Sequence, residues 1–588
     1  MANHSLAGGG FLIEATTPAD ASTPEDFSEE QRQTKATADR FMEEEILPAI
    51  PRYEQKEDGL ARGLIRKAGE LGLLSILVPE KYDGLEMDLT SQLLVAESLG
   101  GYASFSVTYG AHSGIGTLPL VFFGTDEQKQ QYLARMASGE LLAAYCLSEP
   151  QAGSDALAAR TTARLSDDGK HYVLNGQKMW ISNGGWADIF TVFAKVDGEK
   201  FTAFLVEKSF DGVKPGAEEH KMGIHGSSTT PLFLDGVKVP AGNVLGEIGR
   251  GHIIAFNILN IGRLKLGASC VGGCKTVMGE AIRYAKERKA FGQPIAQFGA
   301  IRQKLAESAI RTFVADSVVY RTGGLIDRKL GEVSWEDAEA AKKMLAAIEE
   351  YAIECAIAKV VATEALRYVA DEGVQVHGGY GFHQDYAVER CYRDERINRI
   401  FEGTNEINRL LTVGMLLKRA AQNRLPFMGA VMQLMAELAT PVGDVAEGEG
   451  LEAEAELVAR AKKIALVAVG LGYQKYGPKL EEEQEVVYAI AEIVIAAYSM
   501  ESACLRAEKI GAGKGGETAG DIVRVVAREL MVEITRNAEI VLANCLDGAK
   551  QQQYHGVLRR LSRYPLIDAV AARRRIADRL IQAERYAL

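Results

Sequence analysis

The segment RIFEGTNEINR, residues 399–409, carries a carboxylate whose neighbours could make it a catalytic base. Glu402 lies between bulky Phe401 and Gly403, and Thr404 and Asn405 follow. Burial beside an apolar side chain raises the pKa of a carboxyl group, and a raised pKa suits general-base catalysis. A solvated charge at a turn is the competing interpretation. The segment alone leaves both interpretations open.

Composition excludes several other kinds of chemistry. The chain has 588 residues with 67 basic and 79 acidic side chains, a net charge of −12 that argues against general nucleic-acid binding. Cys270 and Cys274 are the only closely spaced cysteines, and they lack partners at zinc spacing, so we predict free thiols and no metal site. Zinc-protease, Walker and nucleophile-elbow motifs are missing from the sequence.

Targeting segments are also missing. The N-terminal residues have no charged region followed by an apolar core. The longest apolar run, near 464–472, is too short to cross a bilayer. We therefore expect a cytoplasmic, bacterial-type protein.

The hydrophobic period changes along the chain and predicts a mainly α protein with a central antiparallel β-domain. Ser28 and Gln31 form a capping-box pattern at the first helix. Long helices are predicted at 252–286, 298–328, 335–371 and 404–420. The predicted units are an N-terminal leader (1–27), a helical domain (28–144), a β-domain (145–250), a four-helix-bundle domain (251–420), a linker (421–456) and an extra helical domain (457–588).

Three dipeptides in the β-domain are typical of tight hairpin turns. They are Asn175-Gly176, Asp197-Gly198 and Asp235-Gly236, each between extended runs. Asn-Gly and Asp-Gly accept the positive φ angles that such turns require. The sequence therefore predicts three hairpins.

Four further segments, taken together, carry a family resemblance. They are YCLSEPQAGSD (145–155), NGQKMWISNGGWAD (175–188), ERKAFGQPIAQFGAIRQKLAE (287–307) and the region 375–409 that ends in RIFEGTNEINR. In this order the chain resembles the acyl-CoA dehydrogenase family over residues 40–420. The extension beyond 420 makes it most similar to the very-long-chain branch. The resemblance implies a helical, β, helical-bundle fold with an extra C-terminal helical domain.

The resemblance implies FAD as the cofactor. The residues that match the family's cofactor contacts are Tyr145, Leu147, Ser148, Gly153, Ser154, Trp180, Ile181, Ser182, Arg288, Phe291, Gln375, Gly378, Gly379, Thr404, Asn405 and Glu406. Those that match substrate contacts are Ser154, Arg263, Phe401 and Gly403. Because Arg288 and Phe291 match contacts to the neighbouring subunit's flavin nucleotide, a homodimer is also implied.

Structural interpretations stand beside three of these assignments. Trp180 is also explained as a core aromatic of the β-domain, and Arg288 as a solvated residue at a helix end. Thr404 is a suitable N-cap for the helix that follows, a role compatible with a cofactor contact.

The implied reaction is oxidation of an acyl-CoA to its trans-2-enoyl-CoA in fatty acid β-oxidation. Glu402 would remove the α-proton while flavin N5 receives a hydride from the β-carbon. Some family members carry the base just before the equivalent of Arg263, but here that residue is Gly262. The implied electron acceptor is electron-transferring flavoprotein. The alternatives are an acyl-CoA oxidase and an assembly or scaffold protein that retains the fold.

Two regions bear on substrate and surface. Gly110, Ala111, Gly114 and Gly116 are small where the resemblance puts the acyl tail, which predicts room for a long chain or, alternatively, close helix packing. Residues 551–588 carry eight arginines and three acidic residues. This segment predicts either peripheral contact with anionic lipid or a solvated face with intersubunit ion pairs.

Overall fold

The chain folds as a helical domain, a β-domain and two further helical regions. The computed structural model describes residues 6–337, 339–437, 445 and 450–588. Its α-helices are α1 Glu29–Phe41, α2 Leu47–Glu54, α3 Leu60–Glu70, α4 Leu89–Leu99, α5 Ala103–Gly110, α6 Leu118–Phe123, α7 Asp126–Ala137, α8 Gly251–Glu287, α9 Gly299–Leu330, α10 Ala340–Glu350, α11 Ala352–His377, α12 Ala387–Glu395, α13 Asn405–Ala421, α14 Phe427–Glu437, α15 Glu452–Tyr476, α16 Gln484–Ile510, α17 Gly516–Cys545, α18 Gly548–Leu561 and α19 Ala569–Ala583.

The strands lie between α7 and α8, apart from one small ribbon after α8. They are β1 Ala143–Cys146, β2 Thr162–Leu165, β3 His171–Ser182, β4 Ile189–Val196, β5 Lys200–Glu207, β6 Val213–Pro215, β7 Thr229–Pro240, β8 Val244–Leu245, β9 Lys289–Ala290 and β10 Gln293–Pro294. The main sheet has the order β6-β7-β3-β2-β4-β5-β8, with β1 paired to β4. The fold class is as predicted, although β1 and β2 each pair with β4 in parallel.

Local sequence explains where the first helix begins. The Ser28 side chain accepts the Gln31 N–H, and the Gln31 side chain accepts the Ser28 N–H, which confirms the predicted capping box.

Two of the dipeptides predicted as turns have a different role. Asn175-Gly176 and Asp235-Gly236 lie inside the long strands β3 and β7, and a bulge separates their pairing registers.

Strand length explains this error. Because β3 and β7 each run for 12 residues and pair with one another, their turn-type dipeptides meet in mid-strand, where the Gly236 N–H donates to Asn175 Oδ1 at 2.8 Å. A bulge uses the same backbone freedom as a turn. The third prediction is confirmed, since Asp197 and Gly198 at φ 53° and 79° join β4 to β5.

The predicted leader is not loose. Its residues 1–5 lie outside the described residues, but Phe11 is 2% exposed and its ring lies 4.6 Å from that of Tyr498 on α16. Glu25 pairs with Arg506 on the same helix at 3.0 Å. The sequence pattern missed this because short turns of helix with few apolar residues resemble a flexible terminus.

Two further boundaries differ from prediction. The helix predicted at 335–371 is divided at buried Tyr351 into α10 and α11. The range 421–456 contains α14, while its residues 438–444 and 446–449 lie outside the described part of the chain.

The arginine-rich segment 551–588 forms ion pairs within the chain. Arg573 contacts Glu307, and Arg575 contacts Asp521 at 2.7 Å.

One described helix, α16, has the length and apolar composition of a membrane span. Within its most apolar window 89% is buried by the rest of the fold. Core helices of folded domains have the same length and composition, and α16 packs between α15, α17 and α13.

Among the described residues, no group of three or more His, Cys, Asp or Glu side chains is arranged to hold a metal ion.

Candidate active site

The loop before α13 holds Glu402 in an unusual backbone conformation. Glu402 has φ 58° and Gly403 has φ 80°, so two successive residues occupy the left-handed region. Such a conformation is uncommon for a residue with a side chain and is often found at functional sites. The neighbouring helices hold the loop by its carbonyls. Arg263 Nε on α8 donates to the Glu402 carbonyl at 3.2 Å, and Lys359 Nζ on α11 donates to that of Gly403 at 2.9 Å.

Glu402 opens onto a cavity of about 90 Å³ between the N-terminal helices, the end of β3 and α8. A π-helical turn, Ala111–Gly116, forms part of its wall, and such turns are frequent at functional sites. The lining residues are Ala96, Ser106, Val107, Tyr109, Gly110, Ala111, Gly114, Ile115, Ser182, Gly262, Lys265, Leu266, Ser269, Phe401 and Glu402. The structure thus brings together Phe401, Glu402 and Ser182 of the predicted site.

The Glu402 carboxylate is held without direct hydrogen bonds. Its Oε2 atom is buried and has no hydrogen-bond partner among the described residues. Burial raises the pKa of this carboxyl group, while the nearby charges of Arg263, Lys359 and Lys265 oppose that rise. Gly262 makes room for the carboxylate, because a Cβ at that position would lie 2.6 Å from Oε2. A buried, unpaired carboxylate in a cavity is suited to accepting a proton.

Two lysines near Glu402 were missed at the sequence level. Lys265 lies three residues after Gly262 on α8, so helix geometry puts both on the cavity side. A lysine within the apolar run ILNIGRLKLGASC was the available signal, since lysine is rarely buried without a reason. Lys359 stands in the similarly apolar run AIAKVVA. Neither lysine belongs to a recognised motif.

The surroundings of Lys265 change the interpretation of Gly114. Lys265 Nζ donates to Ser113 Oγ at 3.3 Å and lies 5.4 Å from the centre of the Tyr109 ring. Burial lowers its pKa to about 7. A Cβ on Gly114 would come within 3.0 Å of Nζ, so this glycine makes room for the lysine. Gly116 fits the tight π-helical turn and its contact with β1, since a Cβ there would lie 2.5 Å from the Ala111 carbonyl oxygen and 2.8 Å from Ala143 Cβ.

Arg263 lies behind the loop that carries Glu402. It is 5% exposed, and besides the Glu402 carbonyl it donates to Asn260 Oδ1 at 2.9 Å. These contacts belong to the polar support of the loop. The substrate contact that the sequence implied for Arg263 stays a prediction.

The first two predicted segments meet beside the cavity. Tyr145 lies on β1 with a buried hydroxyl that has no partner among the described residues. The Met179 N–H donates to the Ser148 carbonyl at 3.0 Å, and Lys178 pairs with Glu149 at 2.7 Å with both side chains buried. Leu147 is buried, whereas Gly153 and Ser154 are exposed. The segments at 145–155 and 175–188 are therefore one structural unit.

A bulge in β3 turns Trp180 outward. Between Lys178 and Ile181 the pairing with β7 slips by one residue, and Trp180 has φ 60°. Trp180 is 58% exposed while Ile181 is 2% exposed. The core-aromatic interpretation of Trp180 is therefore wrong, because the bulge re-aims this side chain away from the sheet interior.

Five predicted cofactor residues form a second cluster, at the far ends of α8 and α11. The Arg288 guanidinium lies 5.9 Å from the ring centre of Tyr380, and Phe291 is 96% exposed beside β9. Gln375, Gly378 and Gly379 are exposed at the end of α11. At 1.5 Å per residue, the 25 residues from Arg263 to Arg288 span about 37 Å of α8. Within one chain this cluster is therefore remote from Glu402.

The last three predicted cofactor contacts, Thr404, Asn405 and Glu406, lie at the start of α13 in three different environments. Thr404 is the N-cap, its Oγ1 accepting the Ile407 N–H at 3.2 Å. Glu406 is exposed, and its pKa is lowered by a backbone hydrogen bond. Asn405 is 3% exposed, and its side chain bonds to Lys359 at 2.7 Å and to Glu364 at 3.1 Å. Its side chain thus supports the loop internally, and the predicted cofactor contact of Asn405 stays a prediction.

Comparisons with known proteins agree with this architecture. Residues 28–140, 144–237 and 249–416 match the N-terminal, middle and C-terminal domain families of acyl-CoA dehydrogenase. Residues 460–560 match a further family described as acyl-CoA dehydrogenase, C-terminal domain. The chain belongs to the acyl-CoA dehydrogenase family.

Two of the relatives described here match this chain over nearly its whole length, and a third matches about two thirds of it. A probable acyl-CoA dehydrogenase of Bacillus subtilis is 47% identical over 98% of both chains. A crystal structure of acyl-CoA dehydrogenase complexed with FAD from Bacillus anthracis has a TM-score of 0.97, 47% identity, and covers 99% of this chain and 100% of its own. The very long-chain specific acyl-CoA dehydrogenase of Rattus norvegicus is 41% identical over 69% of this chain and 61% of its own length.

This acyl-CoA dehydrogenase is an FAD-dependent oxidoreductase that acts on fatty acyl-CoA. Features of the structure fit a flavin. Exposed Trp180 offers a flat apolar surface, the orphaned Tyr145 hydroxyl offers a donor, and a Cβ built on Gly378 or Gly379 meets no atom within 4 Å. The exposed aromatic Phe291 is a further surface for a planar group.

Proposed function

We propose that this acyl-CoA dehydrogenase oxidises long-chain acyl-CoA to trans-2-enoyl-CoA with Glu402 as the base that removes the α-proton. The observation that carries the assignment is the buried Glu402 Oε2, which has no partner among the described residues and borders the cavity. An oxygen without hydrogen bonds keeps its proton affinity, and burial raises its pKa further.

The loop itself supports the chemistry of proton removal. Within the described part of the chain no acceptor takes the Glu402 N–H, which leaves this donor free for the thioester oxygen. A hydrogen bond there would stabilise the negative charge that develops as the α-proton leaves for the carboxylate. FAD, when bound, supplies the acceptor for the hydride of the β-carbon. Arg263 and Lys359 hold the two carbonyls that fix the loop.

The flavin ring is assigned to Tyr145, Leu147, Ser148, Trp180, Ile181 and Ser182 by the way 145–155 and 175–188 join at the cavity. Gly153 and Ser154, exposed beyond this unit, are assigned to the cofactor and the CoA portion. Arg288, Phe291, Gln375, Gly378 and Gly379 are assigned to the flavin of a second subunit. Arg288 lies about 37 Å along α8 from Arg263 beside that loop, which supports this assignment, because one chain cannot bring both groups to one flavin ring. A homodimer follows from that assignment.

Chain-length preference rests on Gly110 and on the relatives. Gly110 lines the cavity, and a Cβ there meets no atom within 4 Å, so it contributes open space next to Ala111. The rat relative is named as specific for very long chains. Each additional buried methylene contributes about 0.8 kcal/mol of binding free energy. Electron-transferring flavoprotein is the proposed electron acceptor.

The test uses the purified FAD-loaded protein under anaerobic conditions. Titration with butyryl-, octanoyl- and palmitoyl-CoA should bleach the flavin, with palmitoyl-CoA giving the highest kcat/KM. Gly110→Leu should shift the optimum toward octanoyl-CoA, since leucine fills the cavity wall. An optimum at butyryl-CoA would contradict the long-chain assignment. Stoichiometric peroxide in air would favour an oxidase, and a flavin that no acyl-CoA bleaches would favour a scaffold.

A further inference from the structure

Arg409, the last residue of the RIFEGTNEINR segment, is buried between the catalytic domain and the C-terminal extension. Its side chain is 4% exposed. Its Nε donates to the Glu492 carboxylate, and its guanidinium lies 4.8 Å from the ring centre of Tyr488. Glu492 and Tyr488 both stand on α16, a helix of the extension. The segment that carries the base is thus anchored from outside the catalytic domain.

The other edge of Arg409 faces α11. Arg409 Nη2 donates to Glu364 Oε1 at 2.8 Å, and Asn405 Nδ2 donates to the same oxygen at 3.1 Å. Two carboxylates from two domains therefore hold one arginine. Planar guanidinium groups suit such paired recognition better than lysine does.

Asn405 continues the contacts toward the catalytic loop. Its Oδ1 accepts a hydrogen bond from Lys359 Nζ at 2.7 Å, and Nζ also donates to the Gly403 carbonyl at 2.9 Å. The line of contacts therefore runs without a break from α16 to the residue beside Glu402. Lys359 is also one of the cations whose charge lowers the pKa of Glu402.

We propose that the extension positions the catalytic loop through a relay of Glu492, Arg409, Glu364, Asn405 and Lys359. These five are positioning residues, and the proposal rests on the proposed role of Glu402. The relay gives the extension a part in catalysis: α16 sets where the Lys359 ammonium lies relative to the base. Networks of hydrogen bonds and salt bridges, such as this one, carry energetic coupling between distant sites in proteins.

A second carboxyl group, Glu533, lies beside the Glu492–Arg409 ion pair. Glu533 on α17 faces Glu492, and its pKa is raised by burial and by the Glu492 charge. Arg536 and Glu364 also act on Glu533, with opposite signs. The Glu492 carboxylate, whose charge raises the pKa of Glu533, lies next to Arg409, where the ion pair requires it.

The test compares Glu492→Gln with Glu485→Gln. Glu485 stands on the same helix and is exposed, so its variant controls for loss of a charge from α16. In the FAD-loaded enzyme, Glu492→Gln should lower kcat about two- to tenfold with little change in KM. The acidic limb of its kcat/KM profile should move to higher pH, because a displaced Lys359 no longer lowers the Glu402 pKa. Superimposable profiles for the two variants would overturn the relay.

A double-variant cycle separates the relay from general loosening of the fold. Lys359→Met should shift the profile in the same direction, and Glu492→Gln should add nothing to it. Additive shifts would show that the two residues act independently and would reject the proposal.

A failure of the proposed function can be told apart from a failure of the relay. If no acyl-CoA bleaches the wild-type flavin, that function fails, and the relay is then judged by thermal unfolding. Glu492→Gln and Asn405→Ala share no direct contact, so non-additive changes in Tm support the relay and additive changes reject it.

Discussion

Two carboxylates packed against α8, Glu97 and Glu402, have cations beside them, but their pKa values are shifted in opposite directions. Glu97 on α4 accepts hydrogen bonds from Lys275 at 2.9 Å and from the Tyr320 hydroxyl at 2.6 Å. These contacts, together with Lys35, lower its pKa to about 2 in spite of burial. Glu402 has Arg263 and two lysines nearby, but its Oε2 has no hydrogen-bond partner in the described residues, and its pKa is raised.

The difference lies in direct contact with the carboxylate oxygens. In the Glu97 cluster the donors point at those oxygens, so the negative charge is stabilised and the group is structural. Around Glu402 the cations donate to other groups. Arg263 and Lys359 each donate to a backbone carbonyl of the loop and to an asparagine side chain, and Lys265 donates to Ser113. The nearby cations thus limit the rise in the Glu402 pKa without forming hydrogen bonds to its carboxylate, which is what the proposed role as a base requires. The following changes test this contrast.

Removing the base should have the largest effect. Glu402→Gln is expected to lower kcat at least about 10³-fold, because the loss of a general base costs 10²–10⁴-fold and the amide cannot replace it. Flavin content and Tm should stay near wild type or rise slightly, since an unpartnered buried carboxylate is removed. Stopped-flow measurement of flavin reduction checks the rate. Reduction within tenfold of wild type would show that another group takes the proton.

Breaking the structural carboxylate should affect stability instead. Glu97→Ala leaves Lys275 and Tyr320 without their shared acceptor, and we expect a loss of about 3 kcal/mol, within the range for breaking a buried ion pair. Calorimetry measures the change in unfolding free energy. At 15 °C the folded variant should keep near-normal kcat. A variant with unchanged Tm would show that Lys275, which also contacts Asp316 at 3.2 Å, compensates fully.

Crowding the base should have an intermediate effect. In Gly262→Ala the new Cβ would lie 2.6 Å from Glu402 Oε2, so the carboxylate must move. We expect kcat to fall about 10²-fold, the effect of misplacing a catalytic group by about 1 Å. Gly279→Ala is the matched control on α8, because a Cβ there meets only the Arg283 side chain, at 3.4 Å. Equal kcat for the two variants would mean that Glu402 reaches its working position elsewhere in the cavity.

Much of this site was predictable from the sequence, for physical reasons that differ by residue. Glu402 and Trp180 stand in segments whose order identifies the family, and the helical period places their elements. The φ angles of 58° and 60° at these two residues were not predictable, because they depend on contacts with α8, α11 and β7. Lys265 was missed because its neighbours Ser113 and Tyr109 are more than 150 positions away.

In the fold, too, features set by local sequence were predictable and features set by distant contacts were not. The helix starts at Ser28 and Thr404 follow from local capping, and the structure has both. The bulges in β3 and the packing of Phe11 on α16 follow from pairing with distant parts of the chain. Turn-type dipeptides report that the backbone is locally free to bend. They do not report whether a partner strand continues past them.

The smallest expected effect comes from replacing Lys265. This change tests whether a cation that makes no hydrogen bond to Glu402 still shifts the pKa of Glu402. With a pKa of about 7, Lys265 is charged mainly below pH 7, and that charge lowers the pKa of Glu402. Lys265→Met therefore raises the Glu402 pKa, and the acidic limb of kcat/KM should move up by as much as about one pH unit. Below pH 7 the variant should be slower by up to tenfold, whereas above pH 8 the two enzymes should converge.

The matched control for this change comes from the structural cluster on the same helix. Lys275→Met removes a cation that donates directly to Glu97, so it should lower Tm and leave the pH profile of kcat/KM in place. Arg263 and Lys359 remain beside Glu402 in both variants, which keeps the rest of its surroundings constant. If Lys265→Met lowered Tm without moving the profile, Lys265 would belong with Lys275 as a structural cation, and hydrogen bonds alone would separate the two carboxylates.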